Sequence, residues 1–226
     1  MRDSYIRFFS EGYISKEQFF EFGLKETVYA PIDEAEREWA SLKSRITNNA
    51  DVFIRGFGRD GNGTHLFEEL YQRLVGNRNV KKDSTNNSEP IKIIRGLTGY
   101  SKTKNSKYEL IRNYQVSHIF GRTKSIYAFT APWNIVYMPK MLDPFTGHEA
   151  IGDLIDEYTI LFQKQGYKQF AKLIDDFNEI ISNQIFKDKM NCCFDELSLD
   201  NSFKTKDIEK LKKAVKNEFE PIDICT

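Results

Sequence analysis

Of the three histidines in this chain, two, His118 and His148, fall within the single stretch 113–150, NYQVSHIFGRTKSIYAFTAPWNIVYMPKMLDPFTGHEA. His118 lies in the apolar run Tyr114–Phe120, Asn134 opens the run Trp133–Met138, and His148 falls where the T-x-x-E pattern of Thr146 and Glu149 starts a helix. A neutral imidazole with an ordinary pKa can take a proton from water near pH 7. A second imidazole on the neighbouring element, with Glu149 or Asp143 beside it, offers nitrogen and oxygen donors to a divalent cation. Asn134 can hydrogen-bond across the hairpin to set the His118 loop, and Arg122 offers a fork of donors to a phosphate oxygen. Strand, loop, strand and helix carrying His, Asn and His make a metal-and-base constellation more than a packing pattern.

On these residues the stretch resembles the HNH nucleases, the ββα-metal group that includes many restriction enzymes, homing endonucleases and nuclease colicins. The resemblance implies His118 as general base, Asn134 as the residue that steadies the hairpin, and His148, with Glu149, as ligand to one divalent ion, Mg2+ or Mn2+. It also implies double-stranded DNA as substrate. A stand-alone chain of this kind resembles a type II restriction enzyme, for which a homodimer suits cutting both strands of a symmetric site. Ser117 stands where the family often has an acidic ligand, and the gaps of 16 and 14 residues from His118 to Asn134 and from Asn134 to His148 exceed those of the compact motif.

Charge is distributed to match. The whole chain is formally neutral, but residues 91–140 carry nine Lys or Arg against the one acid Glu109, a local net of +8. Phosphate contacts dominate nucleic-acid affinity, so positive charge belongs where a backbone passes. Lys102, Lys104, Arg112, Lys124 and Lys140 are the expected DNA contacts within this block.

Around the site the pattern is mainly helical. Ser15 with Gln18 has the form of a capping box before a helix, and Ala35, Trp39, Leu42 and Ile46 mark a second helix over 32–46. Val52–Ile54 reads as a strand and Thr64–Val75 as a helix with Thr64 as its N-cap. Between them Gly56, Gly58 and Gly61 match G-x-G-x-x-G. With no clear βαβ unit around it, that loop reads as a glycine-rich turn in which Arg55 and Arg59 could touch a phosphate backbone, and His65 reads as a surface residue. Residues 77–90 are polar and read as a boundary or exposed loop, and 91–94 read as a short strand. Beyond the site, helices are expected over 147–165, 167–186 and 205–219, with 190–203 irregular.

The expected fold class is α+β, a ββα-metal core embedded in a mainly helical chain. The expected divisions are an N-terminal mixed part over 1–90 for DNA recognition or dimerisation, a nuclease part over 91–190 and a helical extension over 191–226. No apolar run reaches the roughly 20 residues that span a bilayer, and the start of the chain lacks a secretory apolar core. Together with three late cysteines and no C-x-x-C pair, this gives a cytoplasmic expectation with no membrane partner and no structural zinc. Two other functions fit parts of the pattern: a nucleic-acid-binding protein that keeps the fold without catalysis, and a nucleotide-binding enzyme that uses the Gly56–Gly61 loop.

Overall fold

The computed structural model describes residues 2–146 and 150–224. In chain order the elements are helices α1 (Ser4–Ser10), α2 (Lys16–Glu26) and α3 (Ile32–Thr47), strand β1 (Val52–Ile54), helix α4 (Thr64–Val75), strand β2 (Val80–Lys82) and helix α5 (Ser88–Thr98). Strands β3 (Tyr100–Ser101), β4 (Glu109–Leu110), β5 (Tyr114–His118) and β6 (Ile135–Pro139) follow, then helices α6 (Asp153–Ser182), α7 (Gln184–Leu199) and α8 (Thr205–Glu218). Among the described residues the strands form three pairs: β1 with β2 parallel, β3 with β4 parallel, and β5 with β6 antiparallel. The class is α+β.

Strand β6 is the structural seam. Side chains on a strand alternate between its two faces, and here both faces are apolar because both are covered. Ile135 and Tyr137 belong to one buried cluster, Val136 and Met138 to another. The first cluster gathers Trp39, Phe67, Phe177 and Leu211, among others, from helices α3, α4, α6 and α8, together with Trp133 from the loop before β6. The second joins Phe19 and Phe20 of α2 to Phe145, Tyr158 and Phe162. On its other edge β6 receives Val28, whose N–H donates to Tyr137 O at 2.7 Å, with Tyr137 N returning to Val28 O at 3.1 Å. A strand hydrogen-bonded on both edges and packed on both faces cannot slip by one residue without exchanging its two cores. The hairpin that carries the candidate site is therefore held in one register, His118 opposite Ile135.

Helix α6 is clamped onto the same hairpin. A Cβ built on Gly166 would lie 2.8 Å from Ile119 Cγ2 and 2.9 Å from its Cδ1, so the helix approaches Ile119 closely only because residue 166 is glycine. Gln163 Nε2 donates to Ile119 O at 3.2 Å and Thr159 Oγ1 to Phe145 O at 2.9 Å.

The capping box before α2 is present: Gln18 N donates to Ser15 Oγ and Ser15 N to Gln18 Oε1, each at 3.1 Å. Other expectations need correction. Residues 91–94 lie inside α5, not a strand, because Asp83 accepts from Ser88 N at 2.9 Å and Glu89 N at 2.6 Å and so starts a helix. The polar stretch 77–90 contains β2 and the start of that helix. The two helices expected over 147–165 and 167–186 are largely one, α6, interrupted at Phe170 (φ −129°, ψ 25°) and begun after Gly152, so Thr146 does not cap it. Residues 184–199 are helical: Asn183 accepts from Ile185 N at 2.9 Å, and Phe186, Met190, Cys193, Phe194 and Leu197 follow at helical spacing. Gly63, not Thr64, is the N-cap position of α4. The larger buried cluster runs from Ala30 to Ile222, drawing members from either side of both expected divisions.

Candidate active site

Between the two paired strands runs a loop, 119–134, that would have no reason to hold one shape without a clamp. Asn134 supplies it. Its fully buried side chain accepts from Phe120 N at 2.9 Å and donates to Gly121 O and Ala128 O, both at 2.9 Å. Its own backbone accepts from Ile119 N at 2.8 Å and donates to Ala131 O at 2.9 Å. Only a primary amide offers one acceptor and two donors in so short a side chain.

The loop then positions the imidazole. His118 Nε2 lies 2.9 Å from Phe129 O, one residue from the clamped Ala128, and the ring stacks on Phe129 with centroids 5.4 Å apart and planes 12° from parallel. A carbonyl only accepts, so Nε2 carries the proton and Nδ1 the lone pair. Burial pushes the imidazole from 6.5 down to about 4; the Phe129 carbonyl opposes that, the charge on Arg55 adds to it and Asp83 opposes it. The ring is half-buried, and at pH 7 it is neutral.

His118 opens onto a cleft of about 810 Å³ whose wall includes Arg55, Asn87, Ser117, Lys124, Asp143 and Thr146. Ser117 Oγ, beside His118, lies 3.0 Å from Thr146 Oγ1. Thr146 is the last described residue before Gly147; His148 and Glu149, the expected metal ligands, lie outside the described residues. The oxygen donors on the cleft wall, Asp143 with the two hydroxyls, are of the kind a hard cation takes. Among the described residues no group of three or more His, Cys, Asp or Glu side chains comes together, so a complete ligand set would need His148 and Glu149.

The expected DNA contacts divide into two groups. Arg122 and Lys124 serve the protein itself. Arg122 Nη1 donates to Asn217 O in the last turn of α8 and Nη2 to Pro221 O, just beyond that helix, at 3.4 Å. Glu218, only 6% exposed, accepts from Lys124 N at 2.9 Å and Lys124 Nζ at 3.4 Å. These contacts strap the loop to α8, and Arg122 cannot offer its full fork to a phosphate without releasing α8. Lys102, Lys104, Arg112 and Lys140 are exposed. Lys102 Nζ reaches Gln115 Oε1 on the cleft wall at 3.4 Å, whereas Arg112 and Lys140 flank the far end of the hairpin, about 14 Å along β5 from His118.

The glycine loop does lie in a βαβ unit, since β1, α4 and the parallel β2 follow one another. Five of its amides are nevertheless spent internally. Gly61 N donates to Gly58 O, Asn62 N to Arg59 O, Gly63 N to Phe57 O and Gly56 N to Asn86 Oδ1. Phe57 N donates to Thr64 Oγ1, which itself donates to Gly61 O. A phosphate cradle needs N–H groups turned toward the ligand, and these five are turned inward instead. His65 is an exposed residue of the first turn of α4, with Nδ1 2.9 Å from Asn62 O and its ring stacked on Phe203.

Phe129 O, Glu218 and Asp83 shape the site from positions that no spacing rule marks. No helix among the described residues is long and apolar enough to cross a membrane.

No solved structure matches this chain. A relative from Pasteurella multocida (strain Pm70), Uncharacterized protein PM1201, is 42% identical over 181 residues, covering 80% of this chain and 80% of its own length. The family model described as Uncharacterised protein PM1201 matches residues 30–224, a span that includes the hairpin, its loop and α8, and the chain belongs to that family.

Proposed function

We propose that the protein is an endonuclease of the HNH type that hydrolyses double-stranded DNA with the help of a divalent metal ion, Mg2+ or Mn2+, and acts as a homodimeric restriction enzyme. The observation that carries this reading is the pairing of His118 and Asn134. The imidazole ends one strand of an antiparallel hairpin, and the amide opens the other and clamps the loop between them. That loop in turn orients the imidazole at the edge of an open cleft.

The residues define the step. Water attacks phosphorus, a phosphorus–oxygen bond forms, and the bond from phosphorus to the 3′ oxygen breaks. The water proton passes to Nδ1 of His118, and the leaving oxygen takes a proton from solvent. With a pKa of about 4 the free imidazole is a weak base, but a phosphodiester anion in the cleft attracts a proton and raises it toward the ordinary value. His148, Glu149 and Asp143 would hold the cation, which supplies positive charge to the phosphate and the leaving oxygen when bound.

The test is incubation of mixed-sequence plasmid with Mg2+ or Mn2+ and mapping of the ends. Discrete ends that vanish with chelator and in His118→Ala are expected. Full cleavage by His118→Ala, or full cleavage in chelator, overturns the reading.

A further inference from the structure

Among the described residues one cation of the cleft, Arg55, has no hydrogen bond or ion pair through its side chain. Arg55 follows β1, and its N–H donates to Thr123 O at 2.8 Å, which fixes its backbone against the His118 loop. Its side chain is exposed and lines the same cleft as His118. The other two cleft cations, Arg122 and Lys124, are committed to α8. Among the described residues no hydrogen bond or ion pair engages the Arg55 guanidinium.

A positive charge beside a base lowers its proton affinity, and Arg55 acts on His118 in that direction. The arrangement is counterproductive in the empty cleft and becomes productive once an anion lies between the two groups. On the same wall, among the described residues, Asn87 keeps its side-chain oxygen buried without a partner, an acceptor left open to a donor on a bound molecule.

We propose that Arg55 binds the phosphodiester on which His118 acts, presenting its donor fork to the non-bridging oxygens from the wall formed by β1. This rests on the hydrolytic reading above and adds a substrate contact from outside the hairpin.

Three measurements decide it, all on the full chain. The first is binding of a short DNA duplex in chelator across a salt series, for wild type, Arg55→Ala, Arg55→Lys and His118→Ala. The second is metal-dependent cleavage by the same four proteins. The third is the pH titration of the His118 ring by NMR. Arg55→Ala should weaken duplex binding on the order of tenfold, the scale of one lost charge-assisted contact, and lower the salt slope by about one. Arg55→Lys should fall between it and wild type, and His118→Ala should bind normally without cleaving. The His118 pKa should rise in Arg55→Ala and hold in Arg55→Lys. Wild-type cleavage with Arg55→Ala indistinguishable from it in binding, salt slope and cleavage overturns the Arg55 assignment and leaves the nuclease. Arg55-dependent binding without wild-type cleavage overturns the nuclease reading and leaves Arg55 as a phosphate contact. A wild-type protein that neither binds nor cleaves overturns both.

Discussion

Asn134→Asp is the most telling single change, because it keeps the size and one of the three contacts while removing the other two. The introduced carboxylate can still accept from Phe120 N, but it cannot donate to Gly121 O or Ala128 O, each now served at 2.9 Å. Gly121 O loses its donor and Ala128 O keeps only the longer bond from Ala131 N at 3.3 Å, a loss of about 1–1.5 kcal/mol for each bond removed, and a negative charge replaces the donors at a site with 0% exposure. The cost at pH 7 is about 3 kcal/mol or more, equivalent for a chain of this size to a Tm lower by about 6–12 °C.

The sign of the pH dependence sharpens the test. A carboxyl held in a buried site against two carbonyl oxygens has its folded pKa raised above the unfolded value. Protonation gives it one O–H to donate, so the gap to wild type should narrow as pH falls from 7 toward 5. The acid destabilisation that both proteins share cancels in that difference. Urea unfolding at the two pH values measures it, and hydrogen exchange at Phe120 and the residues after it reports the loop directly. A gap below about 1 kcal/mol at pH 7, or loop amides as protected as in wild type, would refute the assignment of Asn134 as the clamp.

Other outcomes follow from the same geometry. The neutral His118 ring is favoured in the fold; below about pH 6.5 the unfolded chain takes up a proton that the folded ring does not accept until about pH 4. Stability is therefore complete above 6.5 and falls by roughly 3 kcal/mol by pH 4, a loss that denaturant titrations of His118→Gln should lack; equal acid dependence in the two proteins counts against it. Gly166→Ala should cost about 1–3 kcal/mol, since its Cβ would lie 2.8 Å from Ile119, and Ile119→Ala in the same chain should recover part of that loss in thermal melts. Glu218→Ala orphans the Lys124 N–H and should cost about 2 kcal/mol, with faster hydrogen exchange in the residues around Lys124; unchanged exchange there would show that α8 does not hold the loop.

What could be read before folding, and what could not, divides by the range of the interactions. The hairpin was legible because β6 is apolar at successive positions and its partner ends on a histidine, both local patterns. The helix over Ser88–Thr98 was not, because the β-branched residues Ile91, Ile93 and Ile94 look like a strand, and the carboxylate that starts the helix, Asp83, precedes its first residue by five positions. The helix over Gln184–Leu199 carried its signal in Phe186, Met190, Cys193, Phe194 and Leu197, interrupted by enough charge to pass for an irregular segment. The fates of Arg122 and Lys124 could not be read at all. Their acceptors on Asn217 and Glu218 lie about ninety residues further on, and only the packing of α8 against the loop brings them together.

That long-range strap bears on how the site works. Two clamps act on one loop from opposite ends of the chain's order: Asn134 from within the hairpin and Glu218 with the α8 terminus from beyond the long helix. The Phe129 carbonyl that fixes the His118 tautomer lies inside the segment they bracket, so loosening either clamp releases the same hydrogen bond. A released imidazole returns toward its ordinary pKa and loses its orientation together. In Asn134→Asp and in Glu218→Ala alike, the His118 resonances should therefore titrate closer to 6.5 than in wild type, although neither substituted side chain hydrogen-bonds the ring. An unchanged His118 titration in both variants would mean that stacking on Phe129 alone positions the imidazole.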